Sequence, residues 1–386
     1  MSSQAEHAGD DYSGGALGFT ASARGADDGK WADSKFVNID IEDVAYGGAG
    51  VGRAEGKVHF VAFTVPGERV VAEVYAERKR FSESRLQRVL EPSPDRVKPR
   101  CEHFGVCGGC AYQHVPYEVQ LRWKREQVRS LFERIGGVKN PPVQEVVPSP
   151  KVWGYRNRIR LHSREGRVGF FAKYGRSIVE VRRCEIAEES LNQRLAALKG
   201  SAPQEGEILL DERRGKRFFE QTNDAAAEEL VLLVERLLAA DAGALVDAYC
   251  GAGFFGRRLA GRFSKVLGIE SNQAAVQEAV RAAGPRERYL CGDVVFELKR
   301  ALDLFADDGV VLLLDPPASG LGRGVVELLG HRALRQIVYV SCDPATQARD
   351  VKAILERGFR LETLVPLDMF PQTADVEVVA SLLPVA

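Results

Sequence analysis

The sequence predicts an α/β fold preceded by a β-rich segment, and two patterns of apolar residues indicate this. From about residue 224, five short apolar runs are each followed by a loop and a helical stretch, as in an open, mostly parallel sheet covered by helices. These runs are VDAYC, KVLGIE, RYLCGD, GVVLLLD and QIVYVS. Residues 34–92 instead alternate apolar and polar positions between Gly and Pro turns, which favours a small antiparallel β-barrel. The expected fold class is therefore α/β plus β.

Length and composition set limits on the class of protein. At roughly 150 residues per domain, a chain of 386 residues is expected to form two or three domains. With 45% hydrophobic and 28% charged residues and a net charge of −1, collagen-like, coiled-coil, wholly disordered and histone-like chains are excluded. No apolar run approaches the ~18 residues that span a bilayer, and the start MSSQAEHAGDD does not have the form of an export signal. We therefore expect a cytoplasmic protein whose seven cysteines are ligands, nucleophiles or core residues rather than disulfides.

These patterns divide the chain into four segments. Residues 1–33 are acidic, rich in Gly, Ala and Ser and without apolar periodicity, which predicts a disordered tail. Residues 34–93 form the barrel, residues 94–223 a central α+β domain with a cysteine cluster, and residues 224–386 the α/β domain. Within the central domain, residues 151–183 hold ten Lys or Arg against two Glu, with aromatic residues between them. This indicates either a surface that binds an RNA backbone or a solvated strand face.

Three cysteines in CEHFGVCGGCAYQH have metal-ligand spacing. Cys101, Cys107 and Cys110 form a C-x5-C-x2-C pattern, and Cys184 in VRRCEIA is a candidate fourth thiolate. Four thiolates suit either tetrahedral zinc or an iron–sulfur cluster, and the spacing does not separate the two. His103 and His114 are alternative zinc ligands. The C-x3-C-x2-C spacing typical of radical chemistry on S-adenosylmethionine is absent.

A glycine-rich loop, DAYCGAGFFG, starts at Asp247, directly after an apolar run, and opens a helix. Gly251 and Gly253 allow a tight turn and close approach of the backbone to a ligand. Glu270 ends the next apolar run, about twenty residues on, where an acid binds ribose hydroxyls, and Asp293 ends the third. The G-x-G-x-x-G form is shared with dinucleotide-binding folds, which remain an alternative. The acid before the glycines and a later DPP sequence favour S-adenosylmethionine.

Two later strand ends and a C-terminal run carry the candidate catalytic groups. LLLDPPASG puts Asp315 at the carboxyl end of a strand, where open α/β sheets bind ligands. Cys342 in VSCDPATQARD ends the next strand and is either a nucleophile or a buried thiol. Glu377 lies in the strand-like run DVEVVASLL and is either an edge charge or a buried base.

A thiol, a carboxylate and a methyl donor are the groups that methylation of uracil at C5 requires. C5 is a poor nucleophile, but thiolate addition at C6 converts the ring to an enolate whose C5 attacks the methyl group. A base must then remove the C5 proton so that the thiol can leave. A uracil within folded RNA must first be extruded from its stack.

Together these motifs resemble one family, the iron–sulfur-containing RNA (uracil-5-)-methyltransferases that modify 23S ribosomal RNA, with relatives that act on the T-loop of tRNA. The resemblance extends from about residue 36 to the C-terminus. GGAGVGR, HFVAFTVPGE and SPDR are similar to the TRAM barrel of that family, an OB-like RNA-binding module. CEHFGVCGGCAYQ and the run around Cys184 are similar to its cluster-binding segments.

The resemblance implies a role for each motif residue. It implies a [4Fe-4S] cluster on Cys101, Cys107, Cys110 and Cys184, a Cys342 nucleophile and a Glu377 base that removes the C5 proton. It implies S-adenosylmethionine contacts by Gln221, Tyr249, Gly251, Gly253, Phe254, Glu270, Asp293 and Asp315; the first of these belongs to the F-x-Q-x-N pattern of FFEQTN.

The chain departs from the family pattern near the expected pocket. Phe254 replaces a usually polar residue, Ala318 replaces Arg after DPP, Asp375 replaces the His of H-V-E, and Gly175-Arg176 replaces a central Ser-His pair. We expect an active enzyme, without a membrane or an obligate protein partner, that methylates a uridine of 23S rRNA. The alternatives are a tRNA uridine methyltransferase, a cytosine-5 methyltransferase with Asp343 as acid, and a non-catalytic iron–sulfur RNA-binding protein.

Overall fold

The computed structural model describes residues 35–198, 204–212, 221–238 and 242–385. These divide into two compact units. The first contains the described residues up to Asp43 together with Ala49–Pro94, and the second contains Val44–Gly48 and the described residues from Asp95 onward. The predicted acidic tail, residues 1–33, lies outside the described residues.

The first unit is a closed five-stranded barrel, as the period-two pattern predicts. Its strands are β1 (Lys35–Val44), β2 (Ala49–Ala54), β3 (Lys57–Ala62), β4 (Arg69–Glu77) and β5 (Phe81–Glu91), in the closed order β1-β2-β3-β5-β4. Alternate residues of β1, Val37, Ile39 and Ile41, fill the interior. The expectation of a fully antiparallel barrel is wrong, because β3 and β5 pair in parallel. A closed ring with an odd number of strands cannot alternate direction throughout, so at least one pair must be parallel.

The basic part of the second unit forms a small antiparallel sheet. A long helix, α1 (Tyr117–Arg134), precedes β6 (Arg158–Arg164), β7 (Arg167–Phe171), β8 (Ile178–Val179), α2 (Glu189–Ala197) and β9 (Gly206–Asp211), with sheet order β8-β7-β6-β9. In β6, Ile159 and Leu161 are buried whereas Arg160 and Arg164 are exposed. The strand therefore has one apolar face, packed against α2 through Leu191, and one solvated cationic face.

The rest of the second unit is the predicted α/β domain. Its helices are α3 (Asp224–Leu237), α4 (Phe254–Leu259), α5 (Gln273–Arg281), α6 (Val294–Leu304), α7 (Arg323–Leu328) and α8 (Pro344–Leu355). Its strands are β10 (Ala244–Ala248), β11 (Lys265–Glu270), β12 (Glu287–Cys291), β13 (Val310–Leu314), β14 (Leu334–Ser341), β15 (Phe359–Leu367) and β16 (Glu377–Pro384). The five predicted apolar runs correspond to β10 to β14.

The strand order creates a crevice for a ligand. The sheet runs β12-β11-β10-β13-β14-β16-β15, with the first five strands parallel and the last two antiparallel to their neighbours. The chain moves outward in one direction from β10 and in the other from β13, so a crevice opens at the carboxyl ends of these two strands. Apolar clusters bury both faces of the sheet. Among the described helices, none combines the length and the apolar composition that crossing a bilayer requires.

Candidate active site

The acids and the thiol singled out in the sequence gather at one edge of the large sheet. At the carboxyl ends of the parallel strands lie Asp247 in β10, Glu270 in β11, Asp293 after β12, Asp315 after β13 and Cys342 after β14. Glu377 is the first residue of β16, and because that strand runs in the opposite direction, its start lies at this edge too. Ser341 pairs with Val378 in antiparallel register, so Cys342 and Glu377, the next residues outward, are neighbours.

The glycine-rich loop has a fixed shape. The backbone N–H of Gly251 donates to Oε2 of Glu270 at 3.1 Å, while Oε1 of the same carboxylate accepts from the N–H of Asn272 at 2.7 Å. Gly253 has φ +79°, and a Cβ there would lie 2.7 Å from Oη of Tyr289. Only glycine satisfies both constraints. Glu270 therefore holds the loop in shape as well as presenting a carboxylate beside it.

A buried carboxyl lies beneath this loop. Asp247 is fully buried, and its Oδ2 accepts from the N–H of Gly256 at 2.9 Å, which fixes the start of α4. Its Oδ1 is buried and has no hydrogen-bond partner among the described residues. Burial raises the pKa of Asp247 to about 8, because the charged form loses its hydration.

Of the remaining predicted cofactor residues, Tyr249 and Phe254 belong to the loop, Asp293 acts electrostatically on Tyr249, and Gln221 precedes α3. Asp293 caps α6 by accepting from the N–H of Phe296 at 3.2 Å. Tyr249 has φ +65° and is half-buried; burial, then Asp293 and Asp350, raise the pKa of its phenol. Phe254 is half-buried, packs edge-on against Phe255 and lies under the guanidinium of Arg258. Gln221 is buried just before α3, and Phe218–Glu220 of the FFEQTN pattern lie outside the described residues.

The thiol of Cys342 and the carboxyl groups of Asp315 and Glu377 form a cluster. Cys342 is exposed as a residue, but partial burial of its thiol and the nearby Glu377, Asp315 and Asp343 raise its pKa to about 12. Glu377 is only 3% exposed, and burial, together with Asp315, raises its pKa well above the usual carboxyl range. Burial likewise raises the pKa of Asp315. These carboxyls can therefore take up a proton near neutral pH, and the resting thiol is protonated.

The turn that carries Cys342 is also a helix cap. Asp343 accepts through Oδ1 from the N–H groups of Ala345 and Thr346, both at 3.0 Å, and Pro344 follows in the first turn of α8. Cys342 therefore lies just before a helix N-terminus, where the helix dipole favours a thiolate. The carboxylate of Asp343 offsets part of that effect.

The loop that leads to Glu377 is anchored on α1. Nζ of Lys124 donates to Oδ1 of Asp368 at 2.6 Å and to the carbonyl oxygen of Phe370 at 3.1 Å. The amide of Gln120 exchanges two hydrogen bonds with Gln372, one to its side chain and one from its backbone N–H, both at 3.1 Å. Because these partners are buried, the position of Glu377 depends on α1, a helix of the central segment.

Four cysteines line a separate cavity of about 220 Å³ together with Arg156, Arg160 and Arg183; they are Cys101, Cys107, Cys110 and Cys184. Burial raises the pKa of Cys107 to about 11 and that of Cys110 to about 12, and the neighbouring thiols add to both shifts. Within the described ranges, no three His, Cys, Asp or Glu side chains are grouped as they are around a single metal ion. His103 lines the same cavity, whereas His114 packs against Phe104.

Sequence reasoning missed one residue near the thiol. Tyr46 follows β1 and belongs to the second unit, where Asp343, Asp375 and Cys342 act electrostatically on its phenol. The only signal was the adjacent GGAGVGR, whose resemblance to the TRAM barrel assigned it to the barrel.

Comparisons with known proteins find similarity to methyltransferases that act on RNA. Residues 295–383 match the family described as tRNA (Uracil-5-)-methyltransferase. An uncharacterized RNA methyltransferase of Bdellovibrio bacteriovorus is 34% identical over 90% of this chain and 94% of its own length, and one of Streptomyces coelicolor is 31% identical over 90% and 93%. The crystal structure of the Pyrococcus abyssi tRNA (uracil-54, C5)-methyltransferase, in complex with S-adenosyl-L-homocysteine, is 26% identical. It superimposes with a TM-score of 0.66 and covers 90% of this chain and 100% of its own.

Proposed function

Because the chain belongs to the S-adenosylmethionine-dependent RNA (uracil-5-)-methyltransferase family, we propose that it methylates C5 of a uridine through a covalent adduct with Cys342. The observation that carries this proposal is the group formed by Cys342, Glu377 and Asp315 at the sheet edge beside the glycine-rich loop. A nucleophile, a base and a cofactor loop at one edge are the components that the reaction requires.

The acidic crevice suits S-adenosylmethionine. The cofactor brings a sulfonium cation, and among the described residues no cation offsets the burial that raises the pKa values of Asp247, Asp315 and Glu377. The glycine-rich loop offers close backbone approach, and Glu270 presents oxygen acceptors suited to ribose hydroxyls. In this arrangement Gln221, Tyr249, Phe254 and Asp293 line the cofactor.

Addition of the thiol to the ring is the first step. The thiol proton passes to the carboxyl pair of Asp315 and Glu377, whose raised pKa values make them proton acceptors near neutral pH. The sulfur forms a bond to C6, and the π electrons move to C5 and the C4 carbonyl as an enolate. The accepted proton then leaves to solvent through the exposed side of Cys342.

Methyl transfer and elimination complete the reaction. C5 of the enolate attacks the methyl carbon, and S-adenosylhomocysteine departs with the electron pair of the broken S–C bond. Glu377 removes the C5 proton, the C5–C6 double bond re-forms, and the sulfur leaves C6 as thiolate. One proton is released for each methyl group transferred.

We also propose that Cys101, Cys107, Cys110 and Cys184 hold a [4Fe-4S] cluster. Four cysteine thiols that line one cavity are the ligand set that a [4Fe-4S] cluster requires. The pKa values of the buried thiols are raised, and iron supplies the positive charge that makes them thiolates. Arg156, whose Nε is buried without a partner among the described residues, offsets the negative charge of the ligated cluster. The cluster supplies structural cross-linking, since methyl transfer requires no electron.

The proposed substrate is 23S rRNA, held in part by the cationic face of β6. A tRNA substrate is the second candidate. The Pyrococcus abyssi protein, which covers 90% of this chain, is a tRNA methyltransferase. A cytosine substrate has less support. Its mechanism needs an acid at N3, and in this chain Oδ1 of Asp343 already serves as the cap of α8.

A covalent trap tests the function. Fluorine at C5 cannot be removed as a proton, so anaerobically purified protein with S-adenosylmethionine should form a stable adduct with 5-fluorouridine-substituted 23S rRNA. The adduct should be lost in Cys342→Ala and kept in Cys291→Ala, a matched exposed cysteine at the end of β12. An adduct with tRNA alone would identify the second candidate. Failure to form an adduct with either RNA, with cofactor and cluster bound, would contradict the proposal and favour a non-catalytic RNA-binding protein.

A further inference from the structure

The turn Val44–Gly48 is held against the active-site unit rather than moving freely after β1. The side-chain amide of Gln127 donates to the carbonyl oxygens of Ala45 at 3.2 Å and Val44 at 3.5 Å. The N–H of Gly48 closes the turn by donating to the carbonyl oxygen of Ala45 at 3.0 Å. Gln127 lies on α1, the same helix that anchors the loop before Glu377.

Gly48 is also packed directly against that loop. A Cβ on Gly48 would lie 3.0 Å from Cε1 of Tyr112 and 3.3 Å from Cβ of Ala374, so a larger residue does not fit without a shift. The backbone N–H groups of Ala111 and Tyr112 donate to the carbonyl oxygen of Gln372 at 2.9 and 3.0 Å. The turn and the loop that leads to Glu377 therefore form one packed assembly.

Tyr46, at the centre of this turn, lies two residues before Gly48, which packs against the loop that leads to Glu377, and its phenol interacts electrostatically with Cys342. The residue is half-buried and packs against the apolar core under the sheet. Burial, then Asp343, Asp375 and Cys342, raise the pKa of its hydroxyl above the usual tyrosine range, so the group stays protonated at working pH. The hydroxyl has no hydrogen-bond partner in the part of the chain that the structure describes.

The Tyr46 hydroxyl is a neutral hydrogen-bond donor without a partner among the described residues, and the groups that act on it include two carboxyls and a thiol. Such a donor meets one requirement of the substrate. A uracil extruded from a base pair loses the hydrogen bond to its C4 carbonyl oxygen, and thiol addition at C6 places further negative charge on that oxygen. Carboxylates repel that charge, whereas a phenol O–H stabilises it.

We infer that Tyr46 binds the target pyrimidine, an inference that rests on the proposed function. Its hydroxyl donates a hydrogen bond to a ring carbonyl oxygen and thereby holds C6 against Cys342. The turn after β1 thereby contributes a substrate-binding residue to the active site of the second unit.

The Tyr46→Phe variant tests this inference, because it removes only the oxygen that lacks a partner in the described chain. We expect adduct formation with 5-fluorouridine RNA to slow at least tenfold, while the melting temperature and the non-covalent affinity for RNA remain those of the wild type. Tyr75→Phe, at an exposed tyrosine of β4, is the matched control and should react at the wild-type rate. A Tyr46→Phe variant that forms the adduct at the wild-type rate would overturn the inference.

A second measurement does not depend on how well the variant folds. Replacing a carbonyl oxygen of the target base by sulfur, at C2 or at C4, weakens the hydrogen bond that the base accepts. At the carbonyl that Tyr46 binds, this replacement should slow adduct formation by the wild type more than it slows adduct formation by Tyr46→Phe. Equal slowing of both proteins at both positions would overturn the inference. A wild type that forms no adduct contradicts the proposed function instead, so the two failures are distinguishable.

Discussion

Lys124 and Asp368, 244 residues apart in the chain, form an ion pair of 2.6 Å with both side chains fully buried. The pair joins α1 to the loop that begins after β15 and ends at Glu377. A buried pair contributes little net stability but is costly to break, because removing one partner leaves an uncompensated charge. The position of the proposed base thus depends on an electrostatic interaction outside the crevice.

The first prediction concerns this pair. Lys124→Met should lower the free energy of unfolding by about 3–5 kcal/mol, because Asp368 is then buried without its cation. The double variant Lys124→Met/Asp368→Leu should recover much of that loss. Urea unfolding of the three proteins measures the coupling, and additive losses would show that the pair does not act as a unit.

The second prediction concerns the C5 proton. Glu377→Gln keeps the shape of the side chain but cannot accept that proton. Asp315 remains to take up the thiol proton, so thiol addition and methyl transfer proceed and elimination stops. With ordinary uridine RNA, turnover should fall by about 10²–10⁴, and a methylated protein–RNA adduct should accumulate, detectable by mass spectrometry. Glu73→Gln, at a buried glutamate of the barrel, is the matched control and should turn over normally. Loss of turnover without an adduct would assign Glu377 to an earlier step.

The third prediction is a pH dependence of stability. Asp247 keeps its proton up to a pKa of about 8 in the folded protein, whereas the unfolded chain loses it near its ordinary pKa of about 3.9. The folded state therefore binds more protons, and stability falls as pH rises between these values. Asp247→Asn does not titrate and its amide oxygen can still accept from Gly256. Without cofactor, the variant should gain stability over the wild type by up to about 1.4 kcal/mol per pH unit in this window.

Urea unfolding of both proteins at pH 5, 6, 7 and 8 gives that difference directly. Asp315 and Glu377 titrate in both proteins, so their contribution cancels in the comparison except for the repulsion between Asp315 and Asp247. Parallel stability curves would mean that Asp247 has no raised pKa in the folded state.

The fourth prediction concerns the cysteine cavity. Anaerobically purified protein should contain about four iron atoms and a matching amount of acid-labile sulfide per chain. Cys184→Ala should lose most of this iron, whereas Cys250→Ala, at a buried cysteine outside the cavity, should retain it. One zinc ion per chain in place of iron would contradict the cluster and restore the zinc alternative.

The α/β domain was predictable from the sequence because its strands are continuous apolar runs, such as VVLLL in β13, that are buried on both faces. The same logic located Asp315 and Cys342, since the residues after parallel strands meet at one edge. The position of Tyr46 was not predictable, because it depends on the amide of Gln127, 81 residues away in the chain. The Lys124–Asp368 pair was not predictable either, because neither residue belongs to a recognisable sequence motif. Period-two alternation indicated the barrel but does not specify which strands pair in parallel.

The last prediction concerns the cationic face of β6. Arg160 and Arg164 have exposed side chains, with relative exposures of 65% and 58%, on the solvated side of a strand whose other side is apolar. If they bind RNA phosphates, reversing both to Glu should weaken RNA binding and reduce the slope of log affinity against log salt by about 0.7 for each phosphate that is no longer neutralised. Reversing Arg281 and Arg323, exposed on helices of the α/β domain, makes the same change in net charge and should leave the slope unchanged. If both double variants reduce the salt slope equally, RNA binding depends on net charge alone. An unchanged slope in the β6 variant would show that this face does not bind RNA.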